Sequence, residues 1–412
     1  MTTPNGAIKF NNLTGSDTQS SGLGPAVAVY GSGASTTGAS NVVTGINTAG
    51  VSSGDLLWVQ SSSGRQFSII TTVDSGSQVT CDDNFDNTES GRTWAIGGKR
   101  ATWDNADSRR LFGGDCAAGF VIETETDQSL TSTILLSHNK GAANEFVTIR
   151  GSSAHKTINQ TVNDEIFDCA NWSGGKNTFK YLKFTNTNAS KGNANAIRIA
   201  NQAETFTFKN CIFGDATNTL RYGIYALNWA RTVVHQCLFT DSEIGYHAYW
   251  NPSGNSSFTE CVVRNMSSHG YYQASGEQNT VVNSVFHNCG GYGVYITGEG
   301  QVIGCICHGN TSGGIYLSPA YGNESTMAAR NILVSNGGYG IHSVTNATYG
   351  DLDNVFDNAY FNNTSGQALN ANIDPITLTA DPFVDAANGD FNLNNAAGGG
   401  VVLRSTKYTL GG

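Results

Sequence analysis

Residues 283–316 read NSVFHNCGGYGVYITGEGQVIGCICHGNTSGGIY and contain one full period of a repeat. Asn283-Ser284-Val285-Phe286 returns 21 residues later as Gly304-Cys305-Ile306-Cys307, and Gly293-Val294-Tyr295 returns at the same interval as Gly314-Ile315-Tyr316. Outward from this stretch, the glycine-led unit recurs at Gly223-Ile224-Tyr225, Gly245-Tyr246-His247, Gly270-Tyr271-Tyr272 and Gly340-Ile341-His342. The other unit recurs at Asn210-Cys211-Ile212-Phe213, Gln236-Cys237-Leu238-Phe239, Glu260-Cys261-Val262-Val263 and Asn331-Ile332-Leu333-Val334. The two ladders stay in phase, each glycine following its partner by 9 to 13 residues.

Units this short cannot hold two helices, and their apolar residues alternate as strands do. The Leu-x-x-Leu-x-Leu frame of a leucine-rich repeat is absent. A coil of short parallel strands, stacked about 4.8 Å apart, fits the period. Period two then sets the inward rungs: Phe208, Val234, Phe258, Val281, Val302 and Ala329 before the corner, Cys211, Cys237, Cys261, Ser284, Cys305 and Ile332 after it, and Phe213, Phe239, Val263, Phe286, Cys307 and Val334 next. The corners fall on Asn, Gln, Glu and Gly. Asn and Gly accept the left-handed backbone of a tight corner, and Gln236 and Glu260 suit it less.

Composition agrees with an all-β, ordered chain. Charged residues make up 13% of 412, against about 25% in an ordinary domain, while aromatics make up 10%. The net charge is -10, with 22 Lys plus Arg and no basic run, which argues against nucleic acid or an anionic membrane as partner. No run approaches the roughly 18 apolar residues of a membrane helix. The opening Met1-Thr2-Thr3-Pro4-Asn5-Gly6 lacks a signal peptide, so the chain is expected to fold in the cytoplasm that makes it. The nine cysteines include no Cys-x-x-Cys pair and read as reduced core residues.

The expected organisation is a flexible or attachment segment over 1–20 and a β-rich domain over 21–103. A parallel β-helix with an N-terminal cap follows over 104–370, then a closing segment over 371–412. Asp55-Leu56-Leu57-Trp58-Val59 and Gln78-Val79-Thr80-Cys81 mark strands of the early domain, and Asp104 to Leu111 reads as a short capping helix.

The ladder from about 179 to 363 resembles the right-handed parallel β-helix family, whose members include pectate lyases, polysaccharide-degrading enzymes and bacteriophage tailspikes. Thr3-Pro4-Asn5-Gly6-Ala7-Ile8-Lys9-Phe10 is similar to the opening of phage tail and virion structural proteins, with Asn11-Asn12 where Ser-Asp is usual. The resemblance implies a tailspike or tail fibre subunit of a virion, assembled in the host cytoplasm. It would be a homotrimer joined to other virion proteins through its N-terminal region, and it would recognise a host surface polysaccharide. A polysaccharide lyase or glycoside hydrolase on the same scaffold, and a head fibre or decoration protein that binds no glycan, are the alternatives.

Catalytic chemistry leaves no clear mark. Glycoside hydrolysis needs two carboxylates about 5–10 Å apart. Asp241, Glu243, Glu260, Glu277, Glu299, Glu324, Asp351 and Asp353 read as scattered, solvated acids. No catalytic residue, metal ligand or cofactor is assigned. The informative feature is a stripe. One residue per glycine-led strand must point outward, and these are Tyr225, His247, Tyr272, Tyr295, Tyr316 and His342. Five steps of about 4.8 Å give a line of roughly 24 Å, with Trp229, Tyr249 and Trp250 near its edge. Aromatic side chains with polar tips suit a glycan, a subunit interface or cover by the chain's own loops.

Overall fold

A computed structural model of the chain describes residues 7–11, 16, 28–62, 64–98, 103, 121–136, 146–152, 155–169, 176–188, 190, 192–200, 205–217, 220–228, 230–249, 255–275, 278–318, 326–344, 354–369 and 373–405. They fall into two compact units, residues 1–183 and 184–412.

In the first unit, the strands Val29–Thr36, Ser40–Thr44, Leu56–Ser61, Gly64–Ser75, Gln78–Phe85 and Glu89–Ile96 close into an antiparallel barrel. Closure leaves no unpaired sheet edge. Alternate residues fill the barrel, among them Val43, Leu57, Val59, Ile70, Val79, Phe85, Trp94 and Ile96. This is the β-rich domain expected ahead of the repeat.

The rest of that unit is parallel. Val121–Thr124 pairs with Phe146–Gly151, which pairs with Lys176–Lys180. Ala7–Phe10, expected to be part of a flexible or attachment segment, pairs on the other side of Val121–Thr124 as a regular parallel strand. Phe10 is fully buried and meets Trp103 edge-on at 6.0 Å, and Trp103 meets Phe167 at 5.9 Å. The helix expected at Asp104 to Leu111 lies outside the described residues.

The second unit is a stack of three parallel sheets. The first contains Thr205–Lys209, Arg231–His235, Ser257–Thr259, Asn279–Val282, Gly300–Ile303, Thr326–Ala329 and Asn354–Phe356. The second contains Ile197–Ile199, Tyr222–Leu227, Ile244–Tyr249, Tyr271–Gln273, Tyr292–Thr297, Gly313–Ser318, Tyr339–Ser343 and Gly366–Leu369. The third contains Ile212–Phe213, Leu238–Thr240, Val262–Arg264, Val285–His287, Ile306–His308, Ile332–Val334, Ala359–Phe361 and Ile376–Thr377. Each coil visits all three sheets, so its inward residues pack against one another and against those of the neighbouring coils.

Five of the six expected rungs hold in register, and the last is shifted by one residue. Val302 pairs with Ala328 rather than Ala329, and Cys307 pairs with Leu333 rather than Val334. The place after Cys305 is taken by Asn331 rather than Ile332, since the Cys305 N–H donates to Asn331 Oδ1 at 2.8 Å. The corner explains the slip. The left-handed residue there is Arg330 (φ 56), in line with Asn210 (φ 51), Gln236 (φ 52), Glu260 (φ 53) and Asn283 (φ 48). Gln236 and Glu260 therefore make the same tight corner as Asn, and not looser coils.

The ladder after that corner also does more than fill space. The N–H of Cys211 points to Cys237 Sγ at 3.5 Å, that of Cys237 to Cys261 Sγ at 3.5 Å, and that of Cys261 to Ser284 Oγ at 3.1 Å. Asn331 and Asn358 continue the series with their amide oxygens. A second ladder, buried at Asn310 and Asn336 and half-buried at Asn363, follows the next corner. Each of these side chains satisfies a backbone group that the corner takes out of the sheet.

The ladder glycines answer a steric demand. A Cβ on Gly223 would stand 2.6 Å from the Gly245 carbonyl oxygen and 2.6 Å from the Phe239 ring, and one on Gly270 would stand 2.6 Å from the Gly293 oxygen and 2.7 Å from Phe286. The large aromatic rungs of the third sheet thus require glycine at the start of the second.

The closing segment lies along the outer face of the third sheet. Phe383–Asp385 and Asp390–Leu393 form a hairpin, and a short helix follows at Gly400–Ser405. Phe383, Ala386, Phe391, Leu393 and Leu403 cover Val285, Ile306, Ile332 and Val334. The rings of His287 and His308 lie 5.1 and 5.7 Å from Phe391. Burial, the Arg264 guanidinium and His308 push the His287 imidazole down to about 4, and burial lowers His308 too. Both folded values lie below the ordinary value near 6.5, so the unfolded chain takes up these protons first. Their contribution is full above about 6.5 and is lost as the pH falls below it, for His287 toward about 4. His247, His269 and His342 carry the same sign. Glu165, pushed up to about 7 by burial, has the opposite sign. The melting temperature is therefore compared between wild type and His287→Phe at pH 7.5 and pH 4.5. The variant is expected to lose several degrees less on acidification, and equal losses would rule out His287 as a source.

Candidate functional site

The outward row of the second sheet is continuous. Backbone pairing places Arg198 beside Tyr225, then His247, Tyr272, Tyr295, Tyr316, His342 and Leu369 in succession. All six stripe residues expected there occupy consecutive rungs. Trp229 and Trp250 lie outside the described residues. Tyr249 is described, pairs with Leu227, and is 49% exposed.

A second file of rings runs beside the first. Tyr222 lies 5.0 Å from Tyr225 and 4.9 Å from His247. His269 stacks on Tyr272 at 5.2 Å and reaches Tyr295 at 5.0 Å. Tyr292 lies 5.8 Å from Tyr295 and 5.3 Å from Tyr316, and its hydroxyl meets His342 Nδ1 at 3.0 Å. Tyr339 lies 5.5 Å from His342. Tyr222, His269, Tyr292 and Tyr339 each directly precede a ladder glycine. The pattern aromatic–Gly–x–aromatic was visible in Tyr222-Gly223-Ile224-Tyr225 and in Tyr292-Gly293-Val294-Tyr295, and was missed by reading only forward from the glycine.

Ring orientation revises what this face offers. Tyr295 and Tyr316 are stacked at 4.2 Å with 6° between their planes, and His269 and Tyr272 with 13°. Along the rest of the row, Tyr225, His247, Tyr272 and Tyr295 are tilted by 32–50° from one rung to the next, and His342 meets Tyr316 edge-on. Where Tyr295 and Tyr316 cover each other, the face is better suited to hydrogen bonding than to flat stacking on a ligand. Burial pushes the Tyr222, Tyr225, Tyr292 and Tyr295 phenols up, so they stay protonated, as donors, through the physiological range.

One end of the face carries charge. The Arg221 guanidinium sits 4.6 Å over the Tyr222 ring, donates to the Gly192 carbonyl at 2.6 Å, and lies 3.7 Å from Glu243. His247 is the most enclosed residue of the outward row, 7% exposed. Tyr222, Tyr225 and Tyr272 stand within 5.0 Å of it and Tyr249 at 6.1 Å. Burial, Arg221 and His269 push its imidazole down to about 4, so it is neutral at pH 7.

The acids do not gather at this face. Glu260 stands at a corner leading to the third sheet, where Gln236 Nε2 donates to it at 3.0 Å, and Glu243 leads into the second sheet. Glu277, Glu324, Asp351 and Asp353 lie outside the described residues. In the first unit, Asp164 and Glu165 adjoin. Burial pushes Glu165 up to about 7, while burial at Asp164 is outweighed by hydrogen bonding to Glu165, whose N–H donates to Asp164 Oδ1 at 3.0 Å. Among the described residues no group of three or more His, Cys, Asp or Glu is placed to hold a metal ion, and no helix is long and apolar enough to cross a membrane.

Comparison with solved structures finds the tailspike protein of Acinetobacter phage vB_ApiP_P1 at 17% identity and TM-score 0.38, covering 62% of this chain and 48% of that one. The chain thus spans about half the length of that tailspike. Pectate lyase Pel9A is found at 12% identity and TM-score 0.47, covering 73% of this chain and 85% of that one. The catalytic unit of the GH87 alpha-1,3-glucanase of Streptomyces thermodiastaticus strain HF3-3 is found at 11% identity and TM-score 0.40, covering 86% and 88%. No curated protein sequence matches the chain. The profile of the family described as "Right handed beta helix region" matches residues 165–325 and 246–409, more than half of the chain. With its stacked parallel coils, this chain belongs to the right-handed β-helix family.

Proposed function

We propose that the chain is a glycan-recognising virion subunit of the tailspike or tail fibre kind, and that the aromatic face of the second sheet is its recognition surface. The observation that carries the reading is the file of tyrosine and histidine rings on six consecutive rungs of a rigid scaffold, doubled by a second ring on four of them. Neutral phenols and imidazoles at a regular spacing offer donors and acceptors to a chain of sugar hydroxyls. A stack whose backbone groups are paired coil to coil keeps that spacing fixed. The virion assignment rests on the opening Thr3 to Phe10, and assembly in the host cytoplasm and joining to other virion proteins through the N-terminal unit belong to the same reading. Self-association as a trimer would place several such faces on one particle and raise avidity.

A depolymerase is the second reading, since the right-handed β-helix scaffold hosts polysaccharide-degrading enzymes as well as tailspikes. One experiment addresses both. The purified full chain is applied to an array of bacterial surface polysaccharides, its mass is measured by light scattering, and the bound polysaccharide is assayed for new reducing ends and unsaturated ends. Retention of at least one polysaccharide without cleavage is expected, at a mass of three chains. Cleavage would move the reading to an enzyme. Failure to retain any polysaccharide, with the face buried between copies, would make it a subunit interface.

A further inference from the structure

His247 is the member of the aromatic face whose surroundings do not account for it. It is 7% exposed, and neither Nδ1 nor Nε2 has a hydrogen-bond partner among the described residues. A buried polar nitrogen left unpaired costs about 1–3 kcal/mol, so an imidazole with two is a poor structural choice. The rungs on either side carry Tyr225 and Tyr272, whose rings fill the same row. A phenyl or phenol ring would pack there without that cost. The other histidines of the face do have partners. His269 Nδ1 accepts from the Tyr292 N–H at 3.0 Å, and His342 Nδ1 meets the Tyr292 hydroxyl.

His247 is packed among rings. Tyr222, Tyr225 and Tyr272 stand within 5.0 Å of it. Tyr249, half exposed, lies at 6.1 Å, and the Arg221 guanidinium sits over the Tyr222 ring. The neutral imidazole offers one donor and one acceptor amid these rings, both unused. A group that bears a hydroxyl on a small apolar carbon matches both the imidazole and the rings around it.

We propose that His247 anchors the glycan on this face, with a hydroxyl or hydroxymethyl group of one neutral sugar unit entering between Tyr222, Tyr249 and Tyr272 to bond the imidazole. This deepens the recognition reading above and rests on it. Entry requires the Tyr249 side chain to swing aside, which its exposure permits. The bond formed replaces a deficit already present in the free protein, so this contact contributes more than a surface hydrogen bond would. A residue that destabilises the free fold and is retained for its ligand also has a distinctive signature, because removing it strengthens the fold and weakens binding.

The test uses His247→Phe and His247→Gln in the full chain, read by melting temperature and by titration with the polysaccharide that the array retains best. His247→Phe is expected to raise the melting temperature by a few degrees and to weaken binding about tenfold or more. His247→Gln, which restores a donor and an acceptor, is expected to recover part of the binding. It also serves as the test should the phenylalanine variant fail to fold. Wild-type binding by His247→Phe overturns the anchor while leaving the recognition face standing. A lowered melting temperature with weakened binding in both variants overturns it as well, since His247 is then structural. A wild-type chain that binds nothing on the array removes both readings together.

Discussion

Replacing Asn336 with leucine is expected to lower the unfolding free energy by about 4 kcal/mol, among the largest losses a single residue produces. Asn336 is fully buried at the corner after Ile332–Val334. Its Nδ2 donates to the Cys307 carbonyl at 3.0 Å and to Asn363 Oδ1 at 2.9 Å, and its Oδ1 accepts from the Asn310 N–H at 3.1 Å and Asn310 Nδ2 at 3.0 Å. Leucine has similar bulk and can make none of these bonds. It leaves the Cys307 carbonyl and the Asn310 backbone N–H without the Asn336 amide in a buried site, each at about 1–3 kcal/mol, while Asn310 Nδ2 keeps the Phe286 carbonyl and Asn363 Oδ1 keeps the backbone N–H of position 336. The loss is read as a shift of the denaturation midpoint or, if refolding fails, as faster proteolysis at the coil spanning 307–336. A loss below about 1 kcal/mol would mean that the neighbouring carbonyls find other partners and that the asparagine ladder does not hold the corners.

Changing Tyr295 and Tyr316 together to phenylalanine is expected to weaken glycan binding about 30-fold, at about 1 kcal/mol per hydroxyl, while the melting temperature moves by no more than a few degrees. The phenylalanine pair keeps the 4.2 Å stack and removes only the phenol hydroxyls. The two rings cover each other, so what remains for a ligand is their edges and hydroxyls. A flat-stacking mode of recognition would leave the phenylalanine pair near wild type. An isothermal titration against the retained polysaccharide separates the two, and an unchanged affinity would return the face to a stacking role or to none.

The stack was legible because its period is short and its rungs repeat like on like. Phe208, Val234, Phe258, Val281 and Val302 pair as alternation requires. The slip came where Arg330 makes the left-handed corner and Asn331 takes the cysteine place. Asparagine serves in this fold both at corners and in the buried ladders beside them, and a local pattern does not tell the two apart. Ala7–Phe10 was missed because a single strand far from its partner carries no period. For the site, period two placed the outward row and said nothing about side-chain torsions. Face-to-face packing of Tyr295 on Tyr316, and the burial of His247 among four rings, depend on those torsions and on the second file that precedes the glycines.

The measurement that bears most directly on the recognition face is covalent labelling of tyrosine in the full chain, in its native assembly, with and without the retained polysaccharide, read residue by residue by mass spectrometry. Tyr249, Tyr272, Tyr295 and Tyr316 are expected to be labelled in the free assembly and protected by the polysaccharide, while Tyr30 in the barrel, 53% exposed, is labelled equally in both. Protection of the four face tyrosines already complete in the free assembly, and unchanged by polysaccharide, would contradict this expectation and make the face a contact between subunits.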